Sequence, residues 1–366
     1  MSERFTVGIE EEFQLVDPET RELKSHIEEM MAAGEHLGEQ IKPELHQSVV
    51  EVGTPICADI REARAAVAGL RRSLVGMAER SGARIVAAGT HPFSHWKDQE
   101  ITDRVRYKDI VSEMEDLARA NLIFGLHVHV GVEDREMQIE IMNAIRVFLP
   151  LLLALSVNSP FWCGRKTGVK SVRSTIFKRF PRTGIPDTIR SWDEYTRHVD
   201  LLIRTHCIDD GKKIWWDIRP HAYFKTLEFR ICDIPCRAEE TVAIAAFAQA
   251  LVAKLYRLVE SHLGMRHYSR AIVEENKFRA LKTGLDGGMI DFALREEIPT
   301  RALLLEGLDF VEEVVDGLGT RAEMEFLRGW ATTGDTGADR QIRAFEAGRD
   351  LREVVDFLVD ETKRGL

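Results

Sequence analysis

The stretch Phe5-Thr-Val-Gly-Ile-Glu-Glu-Glu-Phe-Gln-Leu-Val16 decides the reading of this chain. In an extended strand, residues i and i+2 share one face. Val7, Ile9, Phe13 and Leu15 then make an apolar face, and Gly8, Glu10, Glu12 and Gln14 make the opposite one. Glu11 falls on the apolar side, so it requires a partner or a local bulge. Consecutive glutamates are poor strand formers, and a merely solvated face explains them badly. Carboxylates packed together raise one another's pKa unless cations neutralise them.

Two more segments repeat the pattern. His127 and His129 share a face in Gly125-Leu-His-Val-His-Val-Gly131, and Glu228 and Arg230 share one in Thr226-Leu-Glu-Phe-Arg-Ile-Cys232. Side by side, three such strands make a floor for hard metal ions. Mg²⁺ or Mn²⁺ suits carboxylates joined by a histidine. One histidine is expected to bind metal and the other to contact nucleotide or orient a ligand. Arg230 beside a metal-bound carboxylate offers a bidentate grip on phosphate. Pro43-Glu-Leu-His-Gln-Ser-Val-Val-Glu51 adds Glu44 and Glu51. Their odd spacing sends them to opposite faces of a straight strand, so a bend near Gln47-Ser48 is needed for both to reach one site. Asp217 and Arg219, also two apart, are substrate-binding candidates.

Phe161 to Pro186 carries seven Lys or Arg and no acidic residue, in a chain of net charge -10. Polyphosphate is the expected partner for such a one-signed segment. No GxxxxGK[ST] or GxGxxG occurs, so phosphate would be held by metals and arginines instead of a glycine loop. The overall acidity argues against broad nucleic-acid binding. The five cysteines are irregularly spaced without CxxC, which fits a reducing cytosol. Met1-Ser-Glu-Arg-Phe-Thr lacks a signal pattern. The apolar run Val147 to Val157 is shorter than the roughly 20 residues that span a bilayer; it reads as a buried helix, with no membrane expected.

The 366 residues, 44% of them hydrophobic, can bury a large core. Helices are expected around Ile27 to Leu37, Glu62 to Ser81, Tyr107 to Ala120, Arg135 to Val157 with a break at Pro150, Ser191 to Ile203 and Glu239 to Ser261. Strands are expected at 5–16, 41–54, 84–89, 122–132, 214–219 and 222–232. The chain becomes mainly helical from about residue 265. Strands dispersed among helices favour an α+β fold with a largely antiparallel sheet, organised over 1–366 as a single catalytic domain.

Gly8-Ile-Glu-Glu-Glu12, Gly125-Leu-His-Val-His-Val-Gly131, Asn158-Ser-Pro-Phe-Trp162, Thr226-Leu-Glu-Phe-Arg230 and Glu275-Asn-Lys-Phe-Arg279 occur in one order. In this the chain resembles the bacterial carboxylate-amine ligases, also called type 2 glutamate-cysteine ligases, over about residues 5 to 280. The resemblance implies a glutamine synthetase-like fold, with a curved, mostly antiparallel sheet backed by helices. It also implies ATP and Mg²⁺ (or Mn²⁺) as cofactors, a cytoplasmic enzyme and small-molecule carboxylate and amine substrates. The activity implied is ATP-dependent amide formation through an acyl phosphate, with glutamate and cysteine as the family default. By the same resemblance Glu10, Glu12, Glu44, Glu51, His127 and Glu228 are metal ligands. Arg230 and Arg173 resemble phosphate-contacting arginines; from the residues themselves, Glu10, Glu228 and Arg230 are expected as the catalytic set, and His129 and Arg179 are expected to join Arg173 and Arg230 at the nucleotide. A homo-oligomer is compatible with a broad sheet.

Three other readings share parts of this pattern. A Zn²⁺ hydrolase also uses HxH beside carboxylates. A guanidino-type phosphotransferase would release a phosphorylated product, and a non-catalytic ATP-binding relative would keep the fold without turnover.

Overall fold

The computed structural model describes residues 5–32 and 35–366. A seven-stranded sheet organises it: β1 Val7–Val16, β2 Ile41–Pro43, β3 Val49–Gly53, β4 Arg84–Val86, β5 Gly125–Gly131, β6 Ile218–Pro220 and β7 Thr226–Asp233. Every pairing is antiparallel. The order is β6-β7-β5-β1-β3-β2, with β4 beside the end of β1. The α+β expectation is met.

β1 alternates as its sequence dictates. Val7 and Ile9 pack with Leu126, Val128 and Val130 of β5 and Leu227, Phe229 and Ile231 of β7, against the helices Arg135–Ile145, Leu149–Ser156 and Ala238–Glu260. Phe13 and Leu15 join a second apolar cluster with Val50, Val52, Leu70 and Leu74. Full burial of one such side chain contributes about 1.5–3 kcal/mol, so this alternation fixes which face of the sheet stays polar.

Several boundaries moved for identifiable reasons. The helix expected over 135–157 runs Arg135–Ile145, tightens into a 3₁₀ turn at Arg146–Phe148 and resumes as Leu149–Ser156. A proline ring collides with the carbonyl four residues back and has no N–H to give. The break therefore precedes Pro150, which lies in the first turn of the new helix, where a missing donor costs little. The segment expected as one strand over 41–54 is split by a turn at Gln47 and Ser48. The helix near Ile27 covers Ile27–Ala32; residues 33 and 34 and the N-terminal Met1 to Arg4 lie outside the described residues. The helical C-terminal part contains an unforeseen hairpin, Gly288–Asp291 with Glu296–Pro299. The stretches Arg135–Ser156 and Ala238–Glu260 are long and apolar enough to cross a membrane, and most of each lies packed inside the fold.

Glu11 finds a partner. It is 2% exposed and meets Arg71, which is fully buried on the helix Ile60–Arg80. Arg71 donates to both carboxylate oxygens, at 3.0 and 2.5 Å, and to the carbonyls of Cys236 and Pro235. Thr241 Oγ1 donates to the same carboxylate at 2.7 Å. The pair sits between the two apolar clusters and ties β1 to the helix Ala238–Glu260. Removing one member strands a buried charge, which costs roughly 3–5 kcal/mol, whereas replacing both by apolar groups is often neutral. Arg71→Met should lower stability by that amount in urea unfolding, and Glu11→Leu/Arg71→Met should recover most of it. An Arg71→Met protein unfolding at the wild-type midpoint would remove the pair from any structural role.

Candidate active site

Strand register places the polar side chains of the sheet in rows. Glu10 lies opposite His127, Glu12 opposite Glu51, His129 opposite Glu228, and Glu228 opposite Arg219. The register of β7 against β5 shifts between Phe229 and Cys232. Such a bulge turns a strand locally, and Arg230 projects from it with Nη1 on the Glu228 carboxylate. Glu44 lies just past β2, and the turn at Gln47 and Ser48 folds it back to share the site with Glu51. The bend required by their spacing is present.

These side chains line a cavity of about 720 Å³ that contains Glu10, Glu12, Glu44, Glu51, His127, His129, Arg173, Glu228 and Arg230. Residues separated by more than two hundred positions thus converge. Arg173 reaches it from the helix Val172–Phe177 by crossing Gly125, where a Cβ would lie 2.3 Å from its Nη2. Only glycine leaves that space. The Gly125 N–H donates to Glu12 at 2.5 Å.

The cavity has two electrostatic halves. Burial works against the charge on Glu10, yet the His127 hydrogen bond and the nearby His129 ring, 3.8 Å away, hold its pKa well below the usual range. Burial likewise opposes the charge on Glu228, but Arg230 and Arg219 keep it ionised. On the other side burial raises Glu12, against the pull of Arg173. Burial and then the charge of Glu12 push Glu44 up to about 7. Burial, with Glu10, Glu44 and Glu12 adding to it, pushes Glu51 well above its ordinary value. Lys42, at 3.5 Å from Glu51, is too little compensation. An added cation would resolve this repulsion.

Ligand atoms of Glu10, His129 and Glu228 lie within 4.8 Å of one another, the one such grouping among the described residues. His129 Nε2 is buried without a hydrogen-bond partner, while its Nδ1 meets Thr226 Oγ1 at 3.1 Å. A ring oriented through one nitrogen, with the other vacant between two carboxylates, fits a divalent cation. His129 is thus the histidine within reach of both Glu10 and Glu228. His127 Nδ1 instead hydrogen-bonds Glu10 at 3.3 Å, and burial lowers its pKa to about 4. Arg173 and Arg230 each keep a buried Nε without an acceptor, and both can serve an anion.

The acid-free segment does not behave as one anion site. Lys166 pairs with Glu346, Lys170 with Asp286 and Asp339, and Lys178 with Glu274. Their counter-charges come from the C-terminal helices and loops, which a local charge count misses. Arg179 is exposed and absent from the cavity wall, so of the two arginines expected from this segment only Arg173 reaches the site. Asp217 is also diverted: a bend precedes β6, and the carboxylate takes the buried Lys277 at 2.6 Å. Arg219 does line the cavity, gripping Glu228 at 2.8 and 3.2 Å.

Further residues complete the cavity lining. Arg104, Arg106, Lys212, Tyr223 and Phe224 come from loops and a helix without a motif. His221 continues the i, i+2 alternation of Asp217 and Arg219, a signal that could have found it. Burial lowers its pKa to about 4.

The crowded carboxylates make a pH signature. Glu44 has a folded pKa of about 7 against an ordinary 4.5, so the fold holds its proton more tightly than the unfolded chain does. The resulting stability is complete below the unfolded pKa and disappears as pH rises through the folded one. Glu44→Gln stays neutral throughout. In chelator, its Tm relative to wild type should therefore rise between about pH 5 and about pH 8. A difference independent of pH would contradict the crowding.

A protein-family model described as glutamate-cysteine ligase family 2 matches residues 6–360. A relative from Solibacter usitatus, named as an inferred glutamate-cysteine ligase 2, is 54% identical over 99% of this chain and 94% of its own length. One from Sorangium cellulosum with the same name is 53% identical over 99% and 97%. Among solved structures, a glutamate-cysteine ligase from Francisella tularensis in complex with AMP superposes with a TM-score of 0.73 at 13% identity, covering 99% of this chain and 89% of that one. The complex between Pup and its ligase PafA gives 0.54 at 12% identity, covering 97% and 72%. The two structures are evidence of shared fold alone, while the family model spans nearly the whole sequence: the chain belongs to glutamate-cysteine ligase family 2.

Proposed function

We propose that this protein is an ATP-dependent carboxylate-amine ligase that joins L-glutamate to L-cysteine, giving γ-glutamylcysteine, ADP and phosphate. The observation that carries this reading is the convergence of Glu10, His129 and Glu228 beside the unpartnered donors of Arg173 and Arg230 in one cavity. Family membership and the names of the relatives supply the substrates.

Glu10, His129 and Glu228 would hold one divalent cation, Mg²⁺ or Mn²⁺, and Glu12, Glu44 and Glu51 would hold further positive charge. Bound there, such ions neutralise phosphate charge and orient the transferred group. The chain's own residues do the rest. Arg230, fixed by Glu228, and Arg173, threaded over Gly125, aim guanidinium donors at the phosphoryl oxygens. His127 keeps Glu10 ionised and oriented. The acid's carboxylate attacks the γ-phosphorus and ADP leaves. The amine nitrogen then attacks the acyl phosphate carbon, phosphate departs with the C–O electron pair, and the amine gives up a proton. Such phosphoryl transfer depends on positioning and charge neutralisation more than on covalent help from the protein.

Phosphate release from ATP should require the acid and the amine together. Phosphate appearing without nucleotide-dependent amide formation would sink the proposal. Glu10→Gln and Glu228→Gln should each reduce turnover more than about 100-fold, the loss typical of a missing electrostatic contact to a charged centre, with circular dichroism unchanged. Wild-type rates in both variants would refute the assignment.

A further inference from the structure

The ligation chemistry makes no use of His221, which follows β6 at one end of the cavity. Its Nδ1 accepts the backbone N–H groups of Tyr223 at 3.2 Å and Phe224 at 2.9 Å. A nitrogen that accepts carries no proton, so the neutral ring is protonated at Nε2. His91 provides an internal comparison. Its Nδ1 accepts from Phe93 and Ser94 at 3.3 and 2.9 Å, and its Nε2 bonds the carbonyl oxygen of Arg21 at 2.9 Å. His221 repeats the first two bonds and lacks the third: among the described residues nothing accepts from its Nε2.

The ring is also held in place. It stacks on Phe224 with centroids 4.5 Å apart and 10° between planes, and it meets the ring of His129 edge-on at 5.5 Å. A donor of fixed direction therefore stands next to the Glu10–His129–Glu228 grouping, in a buried residue. A neutral cation-bound water would be one acceptor, but an anionic oxygen gains more from a shielded N–H.

We propose that His221 Nε2–H is a substrate-binding donor for an anionic oxygen seated against that grouping, supplied either by a nucleotide phosphate or by the carboxylate of the acid substrate. The proposal rests on the ligase reading. His221→Asn tests it, because the short amide oxygen can still cap the Tyr223 and Phe224 N–H groups while the cavity donor is lost. The probes are Mg·ADP, the Mg²⁺ complex of a non-hydrolysable ATP analogue, and L-glutamate, titrated calorimetrically and by ¹⁵N-histidine NMR. The expected result is a shift of the His221 Nε2–H resonance by one ligand, with about 10-fold weaker binding of that ligand to His221→Asn, the size of one hydrogen bond to a charged group. Loss for both nucleotides identifies phosphate, and loss for glutamate alone identifies the carboxylate. Binding of all three at wild-type affinity, or a resonance that no probe moves, overturns the proposal. Failure of the ligase reading shows separately, as wild-type protein that releases no phosphate with acid and amine present.

Discussion

Five carboxylates, Glu10, Glu12, Glu44, Glu51 and Glu228, share one cavity, and their mutual repulsion is the constraint the rest of the molecule answers. Glu10 and Glu228 are kept ionised by His127, His129, Arg219 and Arg230. Glu44 and Glu51 have no comparable escort, and burial with the neighbouring carboxylates raises the pKa of both. Charge is therefore balanced on one side of the site and crowded on the other. An acidic cluster with a basic wall holds a polyanion only once positive charge fills the gap between them.

The opposite face of the same strand makes this concentration of charge tolerable. Every second residue of β1 enters an apolar cluster, so the polar face cannot turn inward without exposing the core. Glu11 is the exception to the alternation, and it is handled by burial with Arg71 and Thr241. The glutamate between two candidate ligands thus serves the architecture. Gly125 makes a comparable contribution by absence, since the space of its missing side chain is what Arg173 passes through.

Charge runs proved a poor guide to function. Lys166, Lys170 and Lys178 of the basic segment 161–186 are paired with carboxylates from the C-terminal region, Glu346, Asp286, Asp339 and Glu274. These pairs tie the segment to the later helices. The anion-directed contribution reduces to Arg173, distinguished from its neighbours by the helix that buries it and not by composition.

The period-two pattern of three short segments was enough to place Glu10, Glu12, His127, His129, Glu228 and Arg230 on one face of a sheet, because side-chain direction in a strand is local. Register is not local. Which residue of one strand stands opposite which of another depends on pairing across more than a hundred positions, and this decided that His129 comes within reach of both Glu10 and Glu228 while His127 hydrogen-bonds Glu10. The partner of Glu11, the diversion of Asp217 to Lys277 and the pairing of the basic segment's lysines are likewise contacts between distant stretches. Sequence alone determined the kind of chemistry available and the faces that carry it. Tertiary structure decided which groups are close enough to act together, since electrostatic coupling follows distance in space and not separation along the chain.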